Sequence, residues 1–227
     1  MVFNWFRKTT LCPSCDSQWD GNRCFRCGYI KKLSGRQSRL LEQIKAFFDP
    51  VTHSPEEIYN RNQLIPQAPG VYAWYFDNHF GTYFTVNTPS PQKIVLDSAA
   101  NRDWYLLYIG IAGKKRGRTL RDRIGDHLNQ NSEGSTLRQS LAALLGPEIK
   151  LNSAMQLNGE NEKQKLNRWI FQHARVSWVR TSKAERIEEL MIRNFGGNLR
   201  FNIKGNKSNT CRKELQRLRK SWRKAGK

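Results

Sequence analysis

Two runs of aromatic and β-branched residues form the most hydrophobic part of the chain. They cover residues 70–76 and 104–110, and both are bounded by glycine, proline or polar residues. Short apolar runs between such breakers are typical of strands, so the sequence predicts two strands here. The polar stretch 77–103 between them leaves room for a further strand pair at 83–86 and 94–96.

Apolar residues recur every three to four positions in much of the remaining chain, which is the period of an amphipathic helix. The predicted helices cover residues 36–48, 55–63, 120–128, 136–145, 160–174 and 183–195, and a third strand covers 176–180. Ser54 with Glu57 and Ser182 with Glu185 form predicted capping boxes, and Ser135 is a predicted N-cap. Strands followed by helices in this order indicate the α+β class.

Basic residues outnumber acidic ones by 39 to 19, which gives a formal net charge of +20. They concentrate at the two ends: residues 211–227 hold eight basic and one acidic residue, and residues 1–40 hold eight and two. A segregated excess of this size indicates binding to a polyanion rather than an evenly solvated surface. Nucleic acid is favoured over a membrane, because no helix sets a bulky apolar face against its basic one. No protein partner is indicated.

The same pattern argues against a membrane or secreted protein. No apolar run approaches the ~18 residues of a membrane-spanning helix. The first ten residues carry Arg7 and Lys8 without the apolar segment of a secretory signal. We therefore expect an intracellular, cytoplasmic protein, in which clustered cysteines are metal ligands more often than disulfides.

Four of the five cysteines form two Cys-x-x-Cys pairs, Cys12 with Cys15 and Cys24 with Cys27. Four thiolates at this spacing can close a tetrahedral Zn²⁺ site, because each short turn brings two sulfurs within the ~2.3 Å Zn–S distance. The pattern resembles a short zinc ribbon with a structural ion. A redox-active or disulfide pair is the alternative. Cys211 lies far away in a predicted basic helix and is interpreted as an isolated thiol.

Five short elements follow one another through the rest of the chain. They are Gly70-Val71-Tyr72, Tyr108-Ile109-Gly110, Arg123 with His127 one turn later, Glu188 and Asn202. In this order and setting they resemble the GIY-YIG nuclease family, and the resemblance covers residues 69–206. It implies a small three-stranded antiparallel sheet flanked by helices. It also implies an enzyme that cuts nucleic-acid phosphodiesters with a divalent metal ion.

Glu188 is the expected ligand of Mg²⁺ or Mn²⁺. It interrupts an otherwise apolar stripe of its predicted helix. A carboxylate there is costly unless it binds something, and oxygen ligation of Mg²⁺ would repay that cost. Glu189 on the solvent side, or no ligand at all, is the alternative, and Glu185 is interpreted as the capping residue.

Arg123 is the expected phosphate clamp. It shares one side of its predicted helix with His127, whereas Arg121 falls on the opposite face. A fixed guanidinium can hold two phosphate oxygens and offset the charge that grows during attack. His127 is a candidate hydrogen-bond partner of the attacking water or the phosphate, and a plain surface histidine is the alternative.

The two motif tyrosines lie on adjacent predicted strands. The resemblance implies that one of them, taken to be Tyr72, helps to deprotonate or orient the attacking water, with Tyr108 beside it. A tyrosine of ordinary pKa near ~10 is rarely ionised at neutral pH, so it must be acidified by Arg123 or the metal, or only orient the water. Packing in the core is the alternative role. Asn202 matches the family's terminal asparagine, which implies that it fixes local geometry.

The chain departs from the family pattern at three places. The stretch between the two tyrosine motifs is longer than a short hairpin, Gly196-Gly197 add residues between Glu188 and Asn202, and Ile111 stands where many members carry a lysine. Lys114 or Lys115 is the candidate substitute. Segments 134–145 and 202–206 resemble a prokaryotic subgroup of the family.

The predicted fold is therefore α+β, a GIY-YIG-like sheet with helices plus a small zinc ribbon. The predicted domains are a zinc-ribbon-like module at 1–33, a helical connector at 34–66, the nuclease domain at 67–206 and a basic C-terminal helix at 207–227. The basic residues expected to contact nucleic acid are Lys114, Lys115, Arg116, Arg118, Arg217, Arg219 and Lys220.

Two hypotheses of function follow. The first is a metal-dependent endonuclease, a phosphodiester hydrolase that acts on nucleic acid, with DNA favoured over RNA. The second is a non-catalytic nucleic-acid-binding module with a vestigial GIY-YIG site.

Overall fold

A computed structural model describes residues 10–11, 18–19, 35–77, 93–94, 103–113, 117–129, 135–146, 148–149 and 160–224. The chain divides into two compact units, Met1–Glu42 and Gln43–Lys227. In the described part of the first unit, β1 (Thr10–Leu11) pairs antiparallel with β2 (Gln18–Trp19). Residues 12, 15, 24 and 27, the four predicted zinc ligands, lie outside the described residues, so the zinc ribbon stays a prediction.

The second unit is α+β. Its strands are β3 (Gly70–Asp77), β4 (Lys93–Ile94), β5 (Trp104–Ala112) and β6 (Ala174–Arg180). Helix α1 (Gly35–Lys45) begins in the first unit and ends in the second. The other helices of the second unit are α2 (Pro55–Asn60), α3 (Leu120–Leu128), α4 (Thr136–Leu145), α5 (Glu160–His173), α6 (Ala184–Phe195) and α7 (Arg212–Lys224), with a 3-10 turn at Asn62–Leu64. Across these described stretches, none of the helices combines the length and apolar character needed to cross a membrane.

The sheet confirms the expected three antiparallel strands. Its order is β4-β5-β3-β6, so β3 is central and the two-residue β4 adds a short fourth strand at the edge of β5. Every residue of β3 is buried, which explains why its sequence is continuously apolar rather than alternating. The register places Tyr72 opposite Gly110 and Trp74 opposite Tyr108. The two tripeptide motifs are therefore neighbours across one strand pair.

Side-chain caps are present at the starts of α2, α3 and α4. Ser54 accepts a hydrogen bond from the Glu57 backbone at 3.0 Å, and Ser135 accepts one from the Arg138 backbone at 3.1 Å. The predicted capping box of Ser182 and Glu185 is wrong. Helix α6 begins at Ala184, so its N-cap is Lys183, which makes no side-chain cap.

Helix α7 belongs to the core of the second unit. Leu215 and Trp222 are buried in the same apolar cluster as the sheet residues. Cys211 is buried just before α7, not within it, and its sulfur accepts a hydrogen bond from the Arg200 guanidinium at 3.3 Å. The basic C-terminal helix is thus packed on its apolar face and exposes its basic face.

Candidate active site

Tyr72 lies at the centre of the sheet with its ring against the second motif. It is 0% exposed, and a Cβ on Gly110 would lie 2.3 Å from both its Cζ and its hydroxyl oxygen. Only glycine leaves room for the ring at that point. The glycine of the second motif is therefore a packing requirement of the tyrosine of the first.

His127 joins the two tyrosines in a ring cluster. Its Nε2 lies 2.9 Å from the Tyr72 hydroxyl, and its Nδ1 lies 2.7 Å from the Ser135 Oγ. The ring centroids of Tyr72 and Tyr108 lie 5.5 and 5.6 Å from that of His127. His127 is 2% exposed, so it is not a surface histidine.

Burial keeps His127 neutral. Desolvation, followed by the positive charges of Arg123, Arg138 and Arg118, lowers the pKa of His127 to about 3. A neutral imidazole has one donor and one acceptor nitrogen. One of its two hydrogen bonds is therefore donated and the other accepted.

The two tyrosines differ in their access to solvent. Tyr108 retains 8% exposure, whereas Tyr72 has none. Burial raises the pKa of Tyr72 well above its usual value, and it also raises the pKa of Tyr108, which the hydrogen-bonding interaction with Tyr72 and the Arg123 charge act against. Both side chains are thus neutral phenols, with Tyr108 in the outer position.

Arg123 projects from α3 towards this cluster. Its Nη1 lies 3.4 Å from the Asp126 carboxylate, which also receives Arg118 at 2.7 Å. Arg121 is used differently, because its Nε donates to the backbone carbonyl of Ile65 at 2.9 Å. Arg123 and Arg121 are the two candidates on α3. Of these, only Arg123 acts to lower the pKa values of Tyr72, Tyr108 and Glu188.

Glu188 faces the same point from α6. Burial raises the pKa of its carboxyl group, the charges of Arg123 and Lys204 lower it, and the charge of Glu185 raises it again. Glu188 has no hydrogen bond or ion pair to another residue in the described part of the chain. Glu189 is exposed and pairs with Arg186 at 2.8 Å. A half-buried carboxylate with an unused oxygen fits the coordination habits of Mg²⁺ or Mn²⁺.

The donor set is small. Among the described residues, no three His, Cys, Asp or Glu side chains come together as a metal-binding group. Mg²⁺ is commonly held by one or two carboxylates with waters and substrate phosphates. One carboxylate therefore fits a single ion whose remaining ligands come from water and substrate.

Asn202 clamps the strand that carries the second motif. Its Oδ1 accepts from the Ile109 backbone N–H at 2.9 Å, and its Nδ2 donates to the Ile109 carbonyl at 2.7 Å. Both bonds are buried, and Ile109 lies between the tyrosine and glycine of the motif. The contacts of Asn202 are those of a residue that fixes local geometry.

The residues predicted to contact nucleic acid differ in their surroundings. Lys114, Lys115 and Arg116 lie outside the described residues. Arg118 is held by Asp126, and Arg217 is exposed but paired with Glu214 at 2.7 Å. Arg219 donates to the Gln139 side chain at 2.9 Å, and Lys220 is exposed.

Sequence reasoning missed the support behind His127. The buried Arg138 donates to the His127 carbonyl at 3.0 Å and to Asn167 Oδ1 at 2.6 Å. Ser135, predicted only as a cap, also bonds the His127 ring. The sequence did contain one signal for Arg138, which is a charged residue on the apolar face of α4 with Leu141 and Leu145. Glu188 interrupts the apolar stripe of α6 in the same way.

A family model described as the GIY-YIG catalytic domain matches residues 70–221. The match confirms the resemblance drawn from the motifs and extends through most of α7. It supports a nuclease, and hence a hydrolase whose substrate is nucleic acid. Searches of curated proteins and of solved structures give no match.

Proposed function

The chain belongs to the GIY-YIG catalytic domain family, and on that premise we propose that it is a metal-dependent endonuclease that hydrolyses nucleic-acid phosphodiester bonds, with DNA favoured over RNA. The observation that carries the proposal is the buried cluster of Tyr72, Tyr108 and His127, and the charge of Arg123 acts to lower the pKa values of both phenols and of Glu188. A cation, two phenols and a carboxylate that converge from β3, β5, α3 and α6 form a site for a phosphate and a water.

Each side chain has a task that its surroundings allow. Glu188 would hold Mg²⁺ or Mn²⁺, which acts as a Lewis acid on a phosphate oxygen when it is bound. Arg123 binds the scissile phosphate and offsets the charge that develops on it. The Arg123 Nη1 lies 3.4 Å from the Asp126 carboxylate. This contact is long for an ion pair, so it leaves the guanidinium able to bind a phosphate.

We place Tyr108 at the attacking water and Tyr72 behind it. Tyr108 is the one of the two with access to solvent, and it interacts with Tyr72, whose hydroxyl contacts His127 at 2.9 Å. The contacts of Tyr72 with Tyr108 and His127 hold the two phenol rings in fixed positions. Because both phenols have raised pKa values, they orient the water by hydrogen bonding and not as tyrosinates.

The test is cleavage of supercoiled plasmid, single-stranded DNA and structured RNA with Mg²⁺, Mn²⁺ or EDTA. Glu188→Gln keeps the shape of the side chain and removes its charge, and we expect a loss of cleavage of about 100-fold or more with binding retained. Glu189→Gln is the matched control on the same helix, and it should cut like the natural chain because Glu189 faces solvent.

Two results would overturn the proposal. One is equal cleavage by Glu188→Gln and the natural chain. The other is a folded, metal-supplied protein that binds all three substrates and cuts none, which would support the non-catalytic module instead.

A further inference from the structure

One face of α7 forms the wall of an open, positively charged groove. Four cations at i, i+1, i+4 and i+5 spacing line it, which places them on one side of the helix. The lining residues are Ile203, Gln216, Arg219, Lys220, Arg223 and Lys224. No acidic residue is among them.

The arginines of the groove are held in place by an uncharged group. Arg219 and Arg223 both donate to the same side-chain oxygen of Gln139 on α4. The Arg219 Nε is buried and has no hydrogen-bond partner in the described part of the chain. Burial and the charge of Arg223 lower the pKa of Arg219. Fixed cations brought together without a counter-ion form a binding site for anions.

The groove is joined to the candidate active site by the segment that precedes α7. Asn202 bonds the backbone of Ile109 within the second motif, and the next residue, Ile203, lines the groove. Lys204 follows Ile203 and is exposed. Two consecutive residues, Asn202 and Ile203, therefore connect the motif strand to the groove.

We propose that this groove binds backbone phosphates of the same nucleic-acid strand that is cut, to one side of the scissile bond. The inference rests on the proposed function. A strand whose scissile phosphate lies at Arg123 and Glu188 continues past Lys204 into the groove. It also revises the predicted contact set on α7: Arg223 and Lys224 join Arg219 and Lys220, whereas Arg217 lies outside the groove, paired with Glu214.

The test measures affinity for a labelled 20-base-pair DNA duplex at several salt concentrations, in the Glu188→Gln background. The groove variant is Lys220→Gln with Lys224→Gln, two exposed residues of the groove wall. The control is Lys213→Gln with Arg217→Gln, which removes the same charge from α7 outside the groove. Thermal melting of both variants checks that each remains folded.

We expect the groove variant to bind about 10-fold more weakly and to lose about 1.8 from the slope of log affinity against log salt, as for two lost phosphate contacts. The control should change affinity by less than about 2-fold. Equal losses in the two variants would overturn the proposal, since they would mean general charge attraction. Cleavage by the natural chain is scored separately: a selective groove effect without cleavage retains the groove and rejects the endonuclease.

Discussion

The glycines of the two motifs are explained by contacts, residue by residue. A Cβ on Gly70 would lie 2.4 Å from the Val179 carbonyl oxygen and 2.7 Å from a Leu120 methyl carbon. At Gly110 the obstacle is the ring of Tyr72, which is itself enclosed. Neither glycine has a positive φ, so space and not backbone conformation excludes other residues there.

This packing gives a prediction at the residue scale. Gly110→Ala should destabilise the protein by about 1–3 kcal/mol, because a rigid buried ring must move. It should also reduce cleavage beyond what partial unfolding explains, because the Tyr72 hydroxyl loses its place beside His127. Urea denaturation and cleavage below the unfolding transition measure the two effects.

The control for Gly110→Ala is Gly125→Ala in α3. A Cβ there meets nothing closer than the Asn129 side chain at 3.7 Å, so this variant should be stabilised by about 0.5–1 kcal/mol. A Gly110→Ala protein as stable and active as the control would show that Tyr72 has room to shift.

The chemistry of single residues was visible in the sequence where a residue belongs to the family motif or where one side chain breaks a pattern. Glu188 meets both conditions, since it is one of the five motif elements and interrupts an apolar stripe. Arg138 interrupts one in the same way, but its partners His127 and Asn167 come from other helices. The spacing within α4 contains no information about them. The order of the two tyrosines, outer and inner, likewise depends on burial in the assembled sheet.

At the scale of elements, strands were predicted well where aromatic runs filled a sheet buried on both faces. The predicted boundaries of elements were wrong where strand pairing in the folded protein overrode the helix preference of the local sequence. Ala174 was expected to end a helix, as suits alanine, yet it pairs with Phe76 as the first residue of β6. At α6 the chain offers Thr181 and Ser182 in sequence. Thr181 bonds the Lys183 backbone at 3.1 Å, and the helix begins at Ala184 without a side-chain cap.

Two of the three predicted capping serines, Ser54 and Ser182, therefore give an element-scale prediction. Ser54→Ala removes an observed cap of α2 and should cost about 1 kcal/mol of the free energy of unfolding. Ser182→Ala removes a serine with no capping contact and should change it by less than about 0.5 kcal/mol. Urea denaturation of both variants at one pH is the measurement. A loss of stability in Ser182→Ala as large as in Ser54→Ala would mean that Ser182 caps α6 after all.

At the scale of the whole molecule, the question is where the folded unit ends. The sequence suggested an end near residue 206 and a separate basic helix, because α7 is dominated by charge. The family match, however, runs to residue 221, and α7 packs on α4 with Leu215 and Trp222 buried. Two apolar residues at i and i+7 are easily overlooked among the seven cations of α7. They nevertheless decide the position of the helix.

The last prediction compares two truncations. A chain ending at residue 206 should lose cooperative thermal unfolding, because removing a buried leucine and a buried tryptophan costs roughly 5–10 kcal/mol against a total stability of ~5–15 kcal/mol. Residues 207–227 carry nine basic and one acidic residue, so their loss relieves repulsion in a chain of net charge +20. Electrostatics alone would thus stabilise the shortened chain. By contrast, a chain of residues 43–227 keeps the second unit and should unfold cooperatively within a few degrees of the full chain. Cooperative melting of the 1–206 chain near that temperature would instead make α7 an appendage, and the groove on its face would then have no fixed wall.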